Sequence, residues 1–343
     1  MISKKFAAKL IPPPLLRARD NKFVDKARTR ARNNPDDWTR FRRLAGANRW
    51  EDLHRYTRLV RRADPALPLA DLSDARFVGT GAGAWNLTRY RSGRINGQAV
   101  FEKIYLKNSL SWKKLMWAYY DVLPKLNKPI QTPPILWHAA GDWLGVAYFP
   151  LLTDTQLSPA DRIVSAAVDL QKSVFDFRWH RSDPAIYDFR LDPIYSTHRG
   201  RLNKVLFRAG RDPGLVDAIE SFFQHPSTPH RFAHGDLNPE NFLYDGTIVD
   251  LDLCGYYPAG YEYGKCIVDG PRIDTMTEME ELVDQELSLT SWQERAAVYF
   301  FSAVFFGTSS PESSRAVNDD FILSLLNRAI DIINAQPEFP QVG

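Results

Sequence analysis

The sequence predicts an α+β protein: a small region of antiparallel strands, then a larger, mainly helical region, behind a basic helical extension. Three observations carry this. Between Ala75 and Pro150, short apolar runs are punctuated by glycine-rich and Asn-Gly turns. From Pro159 onward, apolar residues recur at helical spacing. Residues 1–65 hold arginine runs with few acids. The expected divisions are 1–70 for the extension, 71–150 for the strand region and 151–343 for the helical region.

The extension places Trp38, Phe41 and Leu44, then Trp50, Leu53, Tyr56 and Leu59, three or four residues apart, which predicts two or so amphipathic helices. Asn34-Pro35-Asp36-Asp37 is a helix start, with aspartate against the positive helix end, and Asp64-Pro65 closes the run. Arg28, Arg30, Arg32, Arg40, Arg42 and Arg43 make this segment basic although the net charge is only +3, so the remainder is acidic overall. Such an arm is either a solvated helical face or a surface for an anionic partner or membrane. No nucleic-acid partner is expected.

The strand region opens with Phe77-Val78 and the small-residue run Gly79-Thr80-Gly81-Ala82-Gly83-Ala84. Asn96-Gly97 predicts a hairpin into Gln98–Leu106, so three strands form a meander. A run of small residues lets backbone N–H groups approach phosphate oxygens, though a plain loose hairpin fits equally. It is neither a Walker loop nor a dinucleotide fingerprint, since each needs a helix next. Lys103 lies within the third strand, and Glu102 points to the opposite face. Ser111 to Leu126 predicts a helix whose single acid is Asp121. Ile135–Trp137 and Trp143–Phe149, parted by Gly141-Asp142, read as two more strands.

In the helical region, helices are expected over 159–177 and 215–223, and helical spacing continues through 274–335 with a break at Ser309-Ser310-Pro311. Trp179 to Arg201 reads as a polar, aromatic-rich stretch that either packs as a loop or shapes a substrate pocket. The apolar run 296–307 is too short to span a bilayer and reads as a buried helix. Met1 to Leu16, interrupted by three prolines, predicts neither a signal peptide nor an anchor. Cys254 and Cys266 make no disulfide framework, and the expected location is the cytoplasm. Cys254 reads as packing.

The densest chemistry is His234 to Gly255, HGDLNPENFLYDGTIVDLDLCG. Asp245-Gly246 between two apolar runs predicts a hairpin with a two-residue loop. That register sets Tyr244 opposite Thr247, Leu243 opposite Ile248, Phe242 opposite Val249 and Asn241 opposite Asp250. Opposed residues have Cβ atoms roughly 4.5–5.5 Å apart, which would let one amide oxygen and one carboxylate share a metal ion. Mg²⁺ takes hard oxygen ligands of this kind. Asp236, five residues before Asn241, lies where it reaches a substrate hydroxyl.

His234-Gly235-Asp236-Leu237, with Pro239 and Asn241, resembles the catalytic loop of the aminoglycoside phosphotransferase and choline kinase family. The resemblance covers roughly residues 75 to 330. It implies a two-lobed protein-kinase-like fold, ATP and Mg²⁺ as cofactors, and phosphoryl transfer to a hydroxyl of a small-molecule or glycan acceptor. It further implies Asp236 as catalytic base, Asn241 and Asp250 as metal ligands, and Gly79, Gly81, Gly83 and Lys103 at the nucleotide phosphates. Pro150-Leu151-Leu152 would follow the strands as the connector that meets adenine. Glu262 stands where the family has an acid that steadies the catalytic loop, and His234 is read as a hydrogen-bonding member of that loop. The family's helix glutamate partner for Lys103 is absent, leaving Asp121, a more distant acid, or none. Asp252 is either a second metal ligand or a solvated side chain. Two other readings remain: a catalytically inactive kinase-like interaction module, and a glycosyltransferase using Asp250-Leu251-Asp252.

Overall fold

The computed structural model describes residues 60–61, 64–79, 90–107, 109–142, 144–152, 157–159, 162–172, 183–225, 227–270, 273–287, 289–306 and 319–336. The helices expected before residue 60 lie outside them, as does the break at 309–311. The chain divides into two compact units, residues 1–113 with 134–153, and residues 114–133 with 154–343. The helix α1 (Leu110–Trp117) spans the division.

The first unit is built on an antiparallel sheet. Its strands are β1 (Ser73–Gly79), β2 (Tyr90–Ile95), β3 (Gln98–Leu106), β4 (Trp137–Ala140) and β5 (Leu144–Pro150), in the order β1-β2-β3-β5-β4. Asn96 and Gly97, at φ 50° and 82°, form the two-residue turn expected, with Ile95 opposite Gln98. Such a turn matches the right-handed twist of the strands it joins. β3 is buried on both faces. On one, Glu102 lies opposite Tyr148 and accepts a 2.7 Å hydrogen bond from its hydroxyl, which in turn accepts from the Ala70 N–H. On the other, Lys103 lies opposite Ala147. Asp64 is fully buried because its carboxylate accepts from the N–H groups of Ala66, Asp142 and Leu144, pinning the turn between β4 and β5.

The second unit is mainly helical: α2 (Arg162–Gln171), α3 (Pro184–Tyr187), α4 (Pro193–Arg208), α5 (Gly214–Phe223), α6 (Tyr261–Asp269), α7 (Met276–Gln285), α8 (Trp292–Phe306) and α9 (Asp319–Asn334). The run read as a buried helix is α8, apolar on every side and packed against α4, α6 and α9. Its Phe301 meets Tyr261, Phe189, Tyr195 and Phe223, with ring centroids 4.8–5.9 Å apart. Aromatic pairs at these separations add stability beyond the area they bury.

The stretch 179–201 is not a loop throughout. α4 starts at Pro193, where Asp192 caps the N–H groups of Ile194 and Tyr195. An aspartate cap followed by proline at the first helical position is a helix-start signal, and it overrides the polar composition. The helix expected over 111–126 is α1 only as far as Trp117. A single π turn (Ala118–Val122) and a 3-10 turn (Leu123–Lys125) follow, with Pro124 in the latter. Strands β6 (His230–Ala233) and β7 (Gly255–Pro258) pair with each other, and the residues between them carry the candidate site. Among the described residues, no helix is long and apolar enough to cross a membrane.

Candidate active site

The ribbon at the centre of the site has a different register from the one the Asp-Gly signal predicts. Phe242 bridges to Ile248 rather than Val249. The Leu243 N–H donates to Thr247 O at 2.9 Å, and the Val249 N–H to Asn241 O at 3.0 Å. The loop is therefore three residues, Tyr244-Asp245-Gly246, closed by the Gly246 N–H on Leu243 O. Gly246, at φ 89°, takes the left-handed position that ends a three-residue hairpin loop. The cause is local: Asp245 stays out of positive φ, and its carboxylate accepts from the Thr247 N–H at 2.9 Å. An aspartate bonding two residues ahead is an Asx turn, which competes with the two-residue loop.

Asn241 thus stands opposite Val249, and Asp250 is one residue beyond. A slip of one residue moves a side chain to the other face of a strand, but Asp250 is not in a strand. It sits at φ 67°, ψ 59°, and the chain passes directly into a 3-10 turn, Leu251–Leu253. The left-handed region is sparsely populated except by Gly, Asn and Asp. Because the strand does not continue, Asp252 is buried, not solvated.

The loop that enters the ribbon is held by a set of side-chain to backbone hydrogen bonds. Fully buried His234 bonds Val249 O through Nε2 at 2.8 Å, and its Nδ1 accepts from the Asp236 N–H at 3.2 Å. This pattern places the imidazole proton on Nε2. Asn238 caps the short turn Pro239–Asn241 by accepting from the N–H groups of Glu240 and Asn241. Asn241 Nδ2 donates to Asp236 O at 2.9 Å and lies 3.5 Å from Asp236 Oδ2. Gly235, at φ 83°, donates its N–H to Glu262 Oε2 at 2.9 Å. A Cβ on Gly235 would run into the Leu253 carbonyl, so no other residue fits between the loop and the turn that follows Asp250. Burial pushes the Glu262 carboxyl up, against the lowering by His234 and by the N–H groups of Gly235 and Leu237.

Asp236 lies among charges. Its pKa is raised to about 6, first by burial and then by the carboxylates of Asp250, Asp192 and Asp269, with Lys265 opposing. Asp250 is thereby within electrostatic reach of Asp236. A profile of the phosphotransferase enzyme family (APH) matches residues 66–301, which include this whole constellation. The chain belongs to that family. It is a phosphotransferase, and its fold is the kinase-like combination of an antiparallel-sheet unit and a helical unit.

Solved structures similar to this phosphotransferase are remote in sequence. The aminoglycoside phosphotransferase APH(2'')-Ib, ADP-bound, is 12% identical, with 80% of this chain and 97% of that chain covered and a TM-score of 0.42. The spectinomycin phosphotransferase APH(9)-Ia, in complex with ADP and spectinomycin, is 10% identical over 81% and 98%, at 0.40. The macrolide 2'-phosphotransferase MphH from Brachybacterium faecium is 14% identical over 84% and 100%, at 0.39. Family membership rests on the profile match, not on these likenesses. No curated protein matches the sequence.

Two buried lysines of the phosphotransferase were not singled out in the sequence. Lys265 on α6 lies 3.7 Å from Asp236 Oδ1 and is ion-paired to Asp269. Burial works against its charge, and the two carboxylates outweigh it, leaving the ammonium above the usual lysine value. Lys114 on α1, 1% exposed, donates to Asp192 Oδ2 at 3.3 Å, to Leu253 O at 3.2 Å and to the Tyr257 hydroxyl. Tyr257 also donates to Asp192 Oδ2, whose other oxygen caps α4. Lys114 therefore grips the same Leu253 carbonyl that abuts Gly235. The spacing of Lys265 and Asp269, four apart, was visible in the sequence; the reach of Lys114 to residues 192 and 253 was not.

Of the sequence-predicted nucleotide residues, Gly79 ends β1, Lys103 is 7% exposed on β3, and Gly81 and Gly83 lie outside the described residues. Asp121 is exposed beside Lys125 at 3.9 Å. The donor set suits Mg²⁺ better than a softer ion: Asn241 offers its Oδ1, which accepts no hydrogen bond among the described residues, and Asp250 a carboxylate. Among the described residues, no three or more His, Cys, Asp or Glu cluster as a metal site. Two protein ligands are the usual complement for a Mg²⁺ that also binds substrate phosphates.

Proposed function

We propose that this phosphotransferase moves the γ-phosphate of ATP to a hydroxyl of a small-molecule or glycan acceptor. Asp236 is the base, Asn241 and Asp250 hold Mg²⁺, and Gly79, Gly81, Gly83 and Lys103 serve the nucleotide phosphates. Residues 71–150 are then the nucleotide-binding part, 151–343 the catalytic and acceptor part, and 1–70 a basic extension open to an anionic partner. Two free, buried thiols are in keeping with the cytoplasm.

The observation that carries this reading is the bond from Asn241 Nδ2 to Asp236 O, with the Asp250 charge close enough to raise Asp236. Phosphoryl transfer asks little covalent chemistry of a protein and a great deal of positioning. Asp236 orients the acceptor hydroxyl and takes its proton, while its backbone stays fixed by His234 and Asn241. The Asn241 amide nitrogen is occupied, which turns Oδ1 outward for a cation. Glu262 and Lys114, through Gly235 and Leu253, keep the loop and the Asp250 turn at a constant separation. Mg²⁺, when bound, neutralises the charge of the phosphates.

The test is transfer of labelled γ-phosphate to a panel of hydroxyl compounds, with and without Mg²⁺. Asp236→Asn should lower the rate by roughly 10²–10⁴-fold, the range for loss of a positioned base. Equal transfer by the variant overturns the assignment.

A further inference from the structure

The Asp236 carboxylate is bracketed by two side chains, and only one of them belongs to the loop. Asn241 Nδ2 approaches Oδ2. On the other side, Lys265 Nζ lies 3.7 Å from Oδ1. Lys265 is 6% exposed, with the ring of Phe305 from α8 at 5.9 Å from its ammonium and Asp269 one helical turn away as its closest partner. An ion pair four residues apart on a helix works well at the surface, where it contributes roughly 0.3–0.5 kcal/mol. Burying an ammonium costs several kcal/mol unless its partners are good. Asp269 alone gives no reason for Lys265 to be inside; a second carboxylate does.

We infer that Lys265 is a positioning residue for the base. It holds Oδ1 of Asp236, Asp269 holds Lys265, and the rest of the Asp236 carboxylate is thereby turned to the acceptor hydroxyl. The inference rests on Asp236 being the base. No proton or bond of the reaction passes through Lys265. A misplacement of about 1 Å in a reacting geometry costs on the order of 10²-fold in rate, so an ammonium that sets one torsion is worth a large effect without touching substrate.

The experiment compares the full-length wild type with Lys265→Met, Lys265→Arg and Asp269→Asn, and with Asp236→Asn as the control for the base. Two measurements are made: the crystallographic position of the Asp236 side chain, and kcat and KM for Mg-ATP hydrolysis, with water as the probe acceptor. In Lys265→Met the Asp236 carboxylate should leave its position, kcat should fall roughly 10–100-fold and KM for ATP should stay within about twofold. Lys265→Arg should restore most of kcat, and Asp269→Asn should fall between. An unmoved Asp236 in Lys265→Met, or kcat and KM changing together with no rescue by arginine, overturns the inference. If Lys265→Met does not fold, Asp269→Asn decides by the same two readouts. Should Asp236→Asn match the wild type in turnover, the reading of the base fails, while the Asp236 position in the Lys265 variants still shows whether the ammonium sets it.

Discussion

Two Asx-Gly turns in this chain were predicted alike and folded differently. At Asn96-Gly97 both residues adopt positive φ and the strands meet with Ile95 opposite Gln98. At Asp245-Gly246 only the glycine does, and the loop takes in Tyr244. The first turn joins two long strands whose five paired positions all favour one register. The second joins segments with a single bridge to each other, and other parts of the chain hold them. Ile248 N–H donates to Gln131 O, the Gln131 amide donates to Thr247 Oγ1 at 2.7 Å, and Asn241 is tied to Asp236. Where strands are long, local turn chemistry and pairing agree. Where the ribbon is short, neighbours and an aspartate bonding two residues ahead decide the register.

The strongest way to break this contrast is to release the far end of the site ribbon. Lys114→Met leaves Asp192 buried without its cation and removes the grip on Leu253 O. Loss of one partner of a buried pair costs about 3–5 kcal/mol, which urea unfolding will register, and turnover should fall as well. The β2–β3 turn has no part in that network, so hydrogen exchange at Arg94–Ala99 should change only through global opening.

A second contrast is in pH. In the site ribbon, Asp236 is raised to about 6 by burial and neighbouring carboxylates. A raised carboxyl binds its proton more tightly folded than unfolded. Its contribution to stability is therefore full below the unfolded value, near 3.8, and is lost as pH rises through about 6. Activity runs the other way, because the base must be ionised. The acid limb of kcat/KM should fall near pH 6, about tenfold per unit below it. Asp236→Asn should remove the limb, and the wild type should lose stability relative to that variant as pH rises from about 4 to about 6.

The smallest effect compares the turns directly. Gly97→Ala and Gly246→Ala each force an alanine to positive φ, with open space around both. Each should cost about 1 kcal/mol. The sheet substitution should leave turnover unchanged. The ribbon substitution should lower it, because strain there is relieved by shifting Asn241 against Val249.

Much of the fold was legible because it follows from period and punctuation. The meander, β5, α2, α5 and the long apolar run of α8 all carry patterns that few other structures satisfy. The start of α4 was also legible, in Asp192-Pro193, but the polar composition around it pointed to a loop. At the site, the grouping of Asp236 with Asn241 was readable from their five-residue spacing. The register of the ribbon was not, since Asp245-Gly246 is compatible with loops of two or three residues.

By itself, the sequence determined the family, the succession of the five sheet strands, and the short loop on which the acid and the amide are neighbours, since all of these are encoded within a few consecutive residues. Only the tertiary structure decided the left-handed turn at Asp250, the bracketing of Asp236 by Lys265, and the anchoring of Leu253 by Lys114. Those depend on charges from separate elements meeting in a buried place, where partners many residues apart determine whether an ion is tolerated at all.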